Sequence, residues 1–325
     1  MQASPMAELW RGPILESVHH GHAIICDEGG DIVMSWGDPH RVVLPRSSAK
    51  MIQALPLITS GAADAFGLTP EHLALACASH RGEAMHTERV GRWLSDLGLG
   101  DDDLRCGAHA PYDVDTHHEM IKTDQAPCQW HNNCSGKHSG FLTLTKHLGA
   151  GPEYLEIEHP VQLAVREASE RVTGEVTTGY GIDGCSAPNF AFSLLAMARA
   201  MAHFASSPEG SAEARLHEAM RKHPELVAGN GRACTELMRA TDGQAAIKTG
   251  AEGFYVAILP EKKLGVALKI ADGTTRASEC AMAAILVKLG VLEPDHPAAM
   301  AVMNTPVHNV RGTQTGWIRP APPLL

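Results

Sequence analysis

The sequence lacks several features that would place the protein in other classes. It contains no run of lysine or arginine, and its formal net charge is −10 at pH 7, which argues against nucleic acid as a partner. No segment has the apolar length of a membrane span. Met1 to Leu15 also lacks the basic start and apolar core of a signal peptide. We therefore expect a cytoplasmic protein with no membrane partner.

The eight cysteines include no Cys-x-x-Cys pair and lie far apart in the chain. In a long cytoplasmic protein, cysteines of this kind are kept reduced. Most are expected to be small buried apolar residues. Cys134 and Cys185 differ from the others, because both lie among glycine and polar residues.

Short apolar runs near both ends of the chain predict β-hairpins. The first pair is His22–Asp27 and Asp31–Trp36, and the second is Gly253–Leu259 and Leu264–Ile270. Between them the pattern is mainly helical, with helices predicted over Glu83–Leu97, Pro160–Val172, Phe190–Phe204 and Ala212–Lys222, and a further helix over Arg276–Leu289 towards the end. A helix is also predicted to open at Pro45-Arg46-Ser47 and to end near Gly61.

This order of elements predicts an α/β fold of the α+β type. At 325 residues and 44 % hydrophobic content, the chain can form one large domain or two lobes. We expect one domain over 1–325, with a mainly antiparallel sheet built from both termini and flanked by helices. Residues 1–70 and 240–325 would form the sheet lobe, and residues 71–239 an inserted, mainly helical lobe.

Two short motifs carry the strongest chemical signal. In Ser47-Ser48-Ala49-Lys50 the hydroxyl and the amine are one helical turn apart on one face. Lys248-Thr249-Gly250 supplies a second lysine where a strand is predicted to end. A serine becomes a nucleophile when a base takes its proton, and a desolvated lysine can be that base. The alternative is that Ser47 is only a helix N-cap. Their order is compatible with the serine β-lactamase architecture, in which a Ser-x-x-Lys helix meets a Lys-Thr-Gly strand.

Four further segments combine glycine with polar or small residues. This composition is poor for a helix interior and suits loops whose backbone approaches a ligand. For any one of them a plain structural turn is an open alternative, but four in one chain favour a substantial site. The segments are Ala78–Glu83, Cys106–Pro111, Asn132–Gly140 and Gly181–Pro188.

Taken together, these segments resemble the Rhizobium etli-type L-asparaginases, also called asparaginase II or class 3. The resemblance extends from about Ile14 to the Gly312 region and includes the following motifs: Arg46-Ser47-Ser48-Ala49-Lys50, Ala78-Ser79-His80, Cys106-Gly107-x-His109, Asn133-Cys134-Ser135-Gly136-Lys137-His138, His159-Pro160-Val161-Gln162, Gly181-Ile182-Asp183-Gly184-Cys185 and Lys248-Thr249-Gly250-Ala251-Glu252-Gly253. It implies a β-lactamase-like fold, a homodimer, and hydrolysis of the small molecule L-asparagine to aspartate and ammonia.

The resemblance also implies roles for individual residues. Ser47 corresponds to the nucleophile and Lys50 to its base, while Ser79 and Lys248 correspond to a second Ser–Lys pair that relays a proton and orients the substrate. The Ser-Asp-Asn motif of β-lactamases is missing. This departure argues against β-lactam hydrolysis and leaves amide hydrolysis intact.

Five further residues are expected to bind the substrate. Arg46, His80 and Asp183 are candidates for the α-carboxylate and α-ammonium groups, since arginine pairs with a carboxylate in a bidentate manner. A surface salt bridge is the alternative for Arg46. Asn133 and His138 complete the predicted substrate-binding set.

Zinc is the one cofactor that the resemblance implies. Cys134, Lys137 and Cys185 correspond to positions that hold a zinc ion beside the active site in relatives. Thiolates are good zinc ligands, whereas lysine is unusual and must first lose a proton. On chemistry alone, His138 would be the preferred third ligand. Ordinary free thiols are the alternative for the two cysteines. The metal is expected to tune substrate affinity without performing the chemistry.

Three other functions stay open at the level of the sequence. Glutaminase activity is the nearest variant, and a β-lactamase- or peptidase-like acyl-serine enzyme is the next. A non-catalytic amino-acid-binding protein on the same fold is a different class of function. Two Ser–Lys pairs argue against a mere binding protein, because binding needs no paired base.

Overall fold

A computed structural model describes residues 2–322 and 324–325 of the chain. The chain divides into two compact units. The first contains the chain up to Ser48, Phe192–Ser206, and the chain from Glu236 onwards, and the second contains Ala49–Ala191 and Ser207–Thr235. Within the residues described, every helix is too short or too polar to cross a bilayer.

Twelve strands occur in the part of the chain that the structure describes. In chain order they are β1 (Ser4–Arg11), β2 (Ile14–Cys26), β3 (Ile32–Trp36), β4 (Val42–Val43), β5 (Tyr180–Ile182), β6 (Pro188–Phe190), β7 (Phe192–Ser193), β8 (Ala246–Thr249), β9 (Phe254–Leu259), β10 (Leu264–Ile270), β11 (Thr305–His308) and β12 (Gln314–Pro320).

The α-helices of the same residues are α1 (Lys50–Gln53), α2 (Leu55–Thr59), α3 (Ala62–Ala65), α4 (Pro70–Ala76), α5 (Ala84–Asp96), α6 (Val114–Lys122), α7 (Ser135–Leu148), α8 (Pro160–Thr173), α9 (Leu194–Ser206), α10 (Ala212–Lys222), α11 (Pro224–Ala228), α12 (Ala233–Ala240), α13 (Thr275–Lys288) and α14 (Pro297–Met303). Short 3-10 turns include Arg46–Ala49 and Gln129–His131.

The first unit is built on one antiparallel sheet made from both ends of the chain. Its strands follow the order β11-β12-β1-β2-β10-β9-β8, and β3 pairs with β2. Both predicted hairpins are present, as β2–β3 and β9–β10. The expected α+β fold, with a mainly antiparallel sheet from both termini flanked by helices, is therefore confirmed.

Helices α9 and α13 pack on this sheet and bury its apolar residues. The contact between α9 and β10 is so close that a Cβ atom at Gly265 would lie 2.0 Å from the backbone nitrogen of Ala202. Only glycine allows that approach, since no other residue leaves the space for the helix backbone.

Two of the predicted helices begin or end differently from expectation. The helix expected from Pro45 to Gly61 is divided into a 3-10 turn, α1 and α2, because Pro56 has no N–H to donate to the preceding turn. Helix α9 begins at Leu194 instead of Phe190, because residues 188–190 and 192–193 form the short strands β6 and β7.

The prediction of a loop over Asn132–Gly140 was wrong for most of its length. From Ser135 onwards this segment is the buried start of α7. Its small residues serve helix packing, since a Cβ atom at Gly136 would lie 2.3 Å from the carbonyl oxygen of Leu75 in α4. Glycine therefore lets two helices approach closely, and a composition typical of loops becomes compatible with a helix.

Candidate active site

Ser47 lies in the 3-10 turn Arg46–Ala49 and is half-buried. Arg46, directly before it, has a φ of +52°, in the left-handed region that non-glycine residues rarely adopt. Such strain persists where surrounding contacts enforce it, and it is concentrated at functional sites. The turn thus reaches Ser47 through an unusual backbone conformation at the residue before it.

Ser48 anchors this turn to the strand that carries Lys248. Its side chain is fully buried, and Oγ donates to the carbonyl oxygen of Lys248 at 3.0 Å, with the carbonyl oxygen of Phe254 at 3.4 Å. A Cβ atom at Gly250 would lie 2.7 Å from the carbonyl oxygen of Pro45. The glycine of Lys-Thr-Gly is therefore needed for the close approach of the two motifs in the first unit.

Lys248 is buried near the end of β8, at the edge of the sheet. Its Nζ donates to the carbonyl oxygen of Thr249 at 2.8 Å. The prediction of a lysine at the end of a strand is correct for this residue.

Lys50 and Ser79 form a direct pair within the second unit. Lys50 is 1 % exposed, and its Nζ donates to Ser79 Oγ at 3.0 Å and to the carbonyl oxygen of Ala78. Among the residues that the structure describes, Lys50 forms no ion pair with a carboxylate. A neutral amine has two N–H groups and one lone pair. If both N–H groups serve these two acceptors, the lone pair is left to accept a proton.

Two backbone hydrogen bonds position the Ser79 turn, which follows α4. The N–H of Ser79 donates to the carbonyl oxygen of Val227 at 2.8 Å, and the N–H of His80 donates to that of Asn133 at 3.1 Å. The turn is thus held between the Val227 segment and the residues that precede α7. Both contacts lie within the second unit.

His80 is completely buried, and both of its ring nitrogens are bonded within the protein. Nδ1 accepts from the N–H of Gly82 at 3.1 Å, so Nε2 carries the proton and donates to Ser135 Oγ at 2.9 Å. Burial holds the pKa of His80 well below its usual value. His80, which follows Ser79, is therefore a neutral side chain whose two ring nitrogens both have hydrogen-bond partners within the protein.

Cys134, Lys137 and Cys185 form a buried cluster in the second unit. Cys185 lies on the turn between β5 and β6, and Lys137 Nζ in α7 donates to its Sγ at 3.1 Å. Hydrogen bonding from Cys134, together with the lysine charge, holds the pKa of Cys185 well below the usual thiol value. The same shared proton holds the pKa of Cys134 well above it. Burial is the largest single effect on Lys137 and lowers its pKa, but Cys185, Cys134 and Asp183 together raise the pKa above its usual value.

The side-chain atoms of this cluster include some, but not only, the usual ligands of a thiophilic metal ion. Two thiol sulfurs are good zinc donors, and the amine nitrogen can be a third once it loses its proton. Among residues 2–322 and 324–325 there is no group of three or more His, Cys, Asp or Glu side chains placed to hold a metal. A metal site here therefore needs Lys137.

The other predicted substrate-binding residues lie around this cluster. Asn133 Oδ1 is 3.3 Å from Cys134 Sγ, and Asp183 Oδ1 accepts from the N–H of Gly184 on the turn that carries Cys185. His138 Nδ1 lies 2.8 Å from the hydroxyl of Tyr154, while its Nε2 is buried with no hydrogen-bond partner among the described residues. His138 also interacts with Cys185, which opposes the lowering of its pKa by burial.

Comparison with known proteins decides the family. The family model for L-asparaginase II matches residues 7–320. The chain belongs to the L-asparaginase II family. Membership supports an amidohydrolase acting on a small molecule. A search of curated proteins gave no match.

Solved structures similar to this L-asparaginase II family member include two β-lactamases. One, from Mycobacterium bovis, is 14 % identical with a TM-score of 0.46, and the match covers 82 % of this chain and 94 % of that one. A putative β-lactamase from Bacteroides dorei is 11 % identical with a TM-score of 0.43, covering 78 % and 87 %. An octameric penicillin-binding protein homologue from Pyrococcus abyssi is 13 % identical with a TM-score of 0.37, covering 85 % and 74 %.

Sequence reasoning missed two residues that support the site of this family member. Asn132 is buried, and its Nδ2 donates to the carbonyl oxygens of Cys106 and Gly107 while its Oδ1 accepts from the N–H of Cys134. Tyr154 accepts from the N–H of Arg105, so its own proton is directed to His138. Asn132 adjoins a recognised motif and could have been found. Tyr154 has no sequence signal, because its role depends on a tertiary contact.

Buried neutral histidines give this asparaginase-family protein an expected sensitivity to acid. Burial lowers the pKa of His86, stacked on His80, to about 4, and burial lowers the pKa of His217 to about 4. The unfolded chain binds these protons near pH 6.5, before the folded state does. The free energy of unfolding should therefore fall as the pH drops from about 7 to 5, by about 2 kcal/mol for each histidine.

Urea unfolding at pH 7 and pH 5 measures this effect. The variant His217→Phe should show a smaller difference between the two pH values than the wild type. The matched variant His203→Gln alters an exposed histidine and should leave the difference unchanged. Equal unfolding free energies of the wild type at both pH values would contradict the prediction.

Proposed function

We propose that the protein hydrolyses L-asparagine to L-aspartate and ammonia through a serine acyl-enzyme. The observation that carries the proposal is the buried Lys50, whose amine bonds to Ser79 Oγ and to a carbonyl oxygen and has no carboxylate partner among the described residues. A buried lysine with no carboxylate partner is placed to act as the proton acceptor in the proposed reaction. Membership in the L-asparaginase II family supports the choice of an amide substrate.

The first step is attack on the side-chain amide of asparagine. Ser47 Oγ forms a bond to the amide carbon as its proton passes to Lys50 Nζ. Backbone N–H groups, including that of Ser47, stabilise the negative charge that develops on the carbonyl oxygen. The strained Arg46 backbone sets the direction of the Ser47 turn for this attack.

The second step releases ammonia and restores the serine. The proton that Lys50 took from Ser47 passes through Ser79 and Lys248 to the leaving nitrogen, which leaves Lys50 neutral again. The carbon–nitrogen bond breaks, and a β-aspartyl ester remains on Ser47. Water then attacks the ester carbon with Lys50 as the base, and the proton returns to Ser47 Oγ. The products are aspartate and the free enzyme.

Substrate recognition is assigned to a second set of charged and polar side chains. Arg46 pairs with the α-carboxylate, Asp183 pairs with the α-ammonium group, and Asn133 and His138 supply hydrogen bonds. His80 influences substrate binding by positioning its neighbours, since both of its ring nitrogens are hydrogen-bonded inside the protein.

The direct test is ammonia release from L-asparagine and from L-glutamine by the purified protein. We expect turnover of asparagine well above that of glutamine. Glutamine turnover at an equal or higher rate would make the protein a glutaminase. Stable acylation of Ser47 by a penicillin would favour a β-lactamase- or peptidase-like enzyme. Asparagine binding without ammonia release would indicate a binding protein.

Zinc binding is proposed as a separate property of the same family member. Cys134, Lys137 and Cys185 would hold the ion, whose positive charge would help to attract an amino-acid carboxylate. The ion takes no part in the steps above. A homodimer, a cytoplasmic location and a role in asparagine catabolism complete the proposal.

The variant Cys185→Ser should reduce bound zinc to a small fraction of the wild-type content. Its hydroxyl is a poor zinc ligand, and Lys137 loses the thiolate that it contacts. Elemental analysis of protein purified without chelator measures the content. The matched variant Cys280→Ser alters a buried cysteine in α13 of the other unit and should retain the wild-type zinc content. Absence of zinc from the wild type would refute the site.

A further inference from the structure

Lys137 and Cys185 form a contact that the proposed hydrolysis does not use. Nζ and Sγ are 3.1 Å apart, and the two residues are 2 % and 3 % exposed. They come from separate elements, since Lys137 lies in the first turns of α7 and Cys185 on the turn between β5 and β6. A side-chain nitrogen and a side-chain sulfur are thus held at contact distance and shielded from water.

A small cavity of about 10 Å³ adjoins Lys137. Lys137 lines it together with apolar side chains that include Leu57, Phe141 and Leu144. Its volume is about that needed by one water-sized molecule. Gln53 also lines it, but its Nε2 already donates to the carbonyl oxygen of Pro188. Because water needs two or more polar partners and the rest of the wall is apolar, the cavity favours a small apolar molecule. Dioxygen has this size and polarity.

We propose that Lys137 and Cys185 are a modification site, where dioxygen joins them through an N–O–S cross-link. A sulfur–oxygen bond and a nitrogen–oxygen bond form, while the S–H bond, one N–H bond and the O–O bond break. Sulfur and nitrogen together lose four electrons to dioxygen. One oxygen atom remains in the link and the other leaves as water, so thiol, amine and dioxygen yield the link and one water molecule.

The cross-link ties the β5–β6 turn covalently to α7. It removes both side chains as hydrogen-bonding and metal-binding groups, and thiol reagents restore them because the sulfur is at a reversible oxidation level. The cross-link therefore forms on exposure to oxygen, whether or not the hydrolytic reaction takes place.

The test is mass spectrometry of wild-type protein, purified without oxygen and with a chelator, then divided between argon and air-saturated buffer. In air we expect the intact mass to rise by about 14 Da, which is one oxygen gained and two hydrogens lost, and to return with dithiothreitol. Trypsin should no longer cleave after Lys137, and a peptide joining Lys137 to Cys185 should appear. Because mass is measured, the result does not depend on whether asparagine is hydrolysed.

Two variants separate this link from other oxidation products. The 14 Da product should persist in Cys134→Ser and be absent from Lys137→Met. Loss of about 2 Da that disappears in Cys134→Ser would show a disulfide instead, and gains of about 16 or 32 Da confined to Cys185 would show simple sulfur oxidation. Either result, or an unchanged wild-type mass in air, overturns the proposal. Peptide mapping of the wild type decides the matter if a variant does not fold.

Discussion

The variant Ser47→Ala is expected to release ammonia from L-asparagine at least ~10³-fold more slowly than the wild type, because removal of a nucleophile abolishes the acyl-enzyme route. Its free energy of unfolding should stay within about 0.5 kcal/mol of the wild type, since Ser47 is half-buried and small. Ammonia release at saturating asparagine and urea unfolding measure the two quantities. Near-normal turnover by this variant would exclude Ser47 as the nucleophile.

The neighbouring serine offers a matched control. Ser48 is fully buried and donates to the carbonyl oxygen of Lys248, so Ser48→Ala should lower the free energy of unfolding by about 1–2 kcal/mol. Its hydroxyl is already committed to this contact. We therefore expect its turnover to stay within about tenfold of the wild type. Substitution of Ser47 should thus change mainly the turnover, and substitution of Ser48 mainly the free energy of unfolding.

The variants Lys50→Met and Lys50→Arg are expected to lose turnover by a similar factor, at least ~10³-fold. Methionine has the volume of the lysine stem but no base. Arginine keeps donors for the carbonyl oxygen of Ala78 and for Ser79 Oγ, but it stays protonated and cannot accept a proton. Comparison of the two variants therefore tests whether Lys50 acts as a base or only as a hydrogen-bond donor.

A different result for Lys50→Arg would change the role assigned to Lys50. If Lys50→Arg retained much of the wild-type kcat while Lys50→Met did not, Lys50 would be a donor that positions Ser79, and another group would be the base. Circular dichroism of both variants checks that a charged or apolar side chain at this buried position leaves the fold intact. Binding of asparagine by calorimetry separates loss of chemistry from loss of affinity.

The sheet was predictable from the sequence because hairpins are local. Strand pairs β2–β3 and β9–β10 are close in the chain, and alternating or continuous apolar runs around a turn indicate them directly. Strand β1 pairs with β12 from the opposite end of the chain. A pairing across such a distance leaves no local signal, and β12 was missed for this reason. Strand β1 was missed as well, although it also forms a local hairpin with β2.

In the candidate site, too, short local motifs were predictable and long-range contacts were not. The spacing of Ser47 and Lys50 and the clustered motifs around Asn133, Cys134 and Cys185 are visible in the sequence, because each motif is a short segment. The bond from Lys50 to Ser79 is not visible, since the two residues come from α1 and from the turn after α4. Nor is the state of His80, whose two nitrogens are bonded to Gly82 and Ser135.

The sequence by itself determined which chemical groups the protein has, which family it resembles and which segments pair locally, because these depend on residue type and short spacing. Tertiary structure decided how those groups are placed and shielded. It made a glycine-rich segment the start of a buried helix, and it brought Lys137 within 3.1 Å of Cys185. The physical reason is that close packing and burial depend on atoms from distant parts of the chain, and only the folded backbone brings them together.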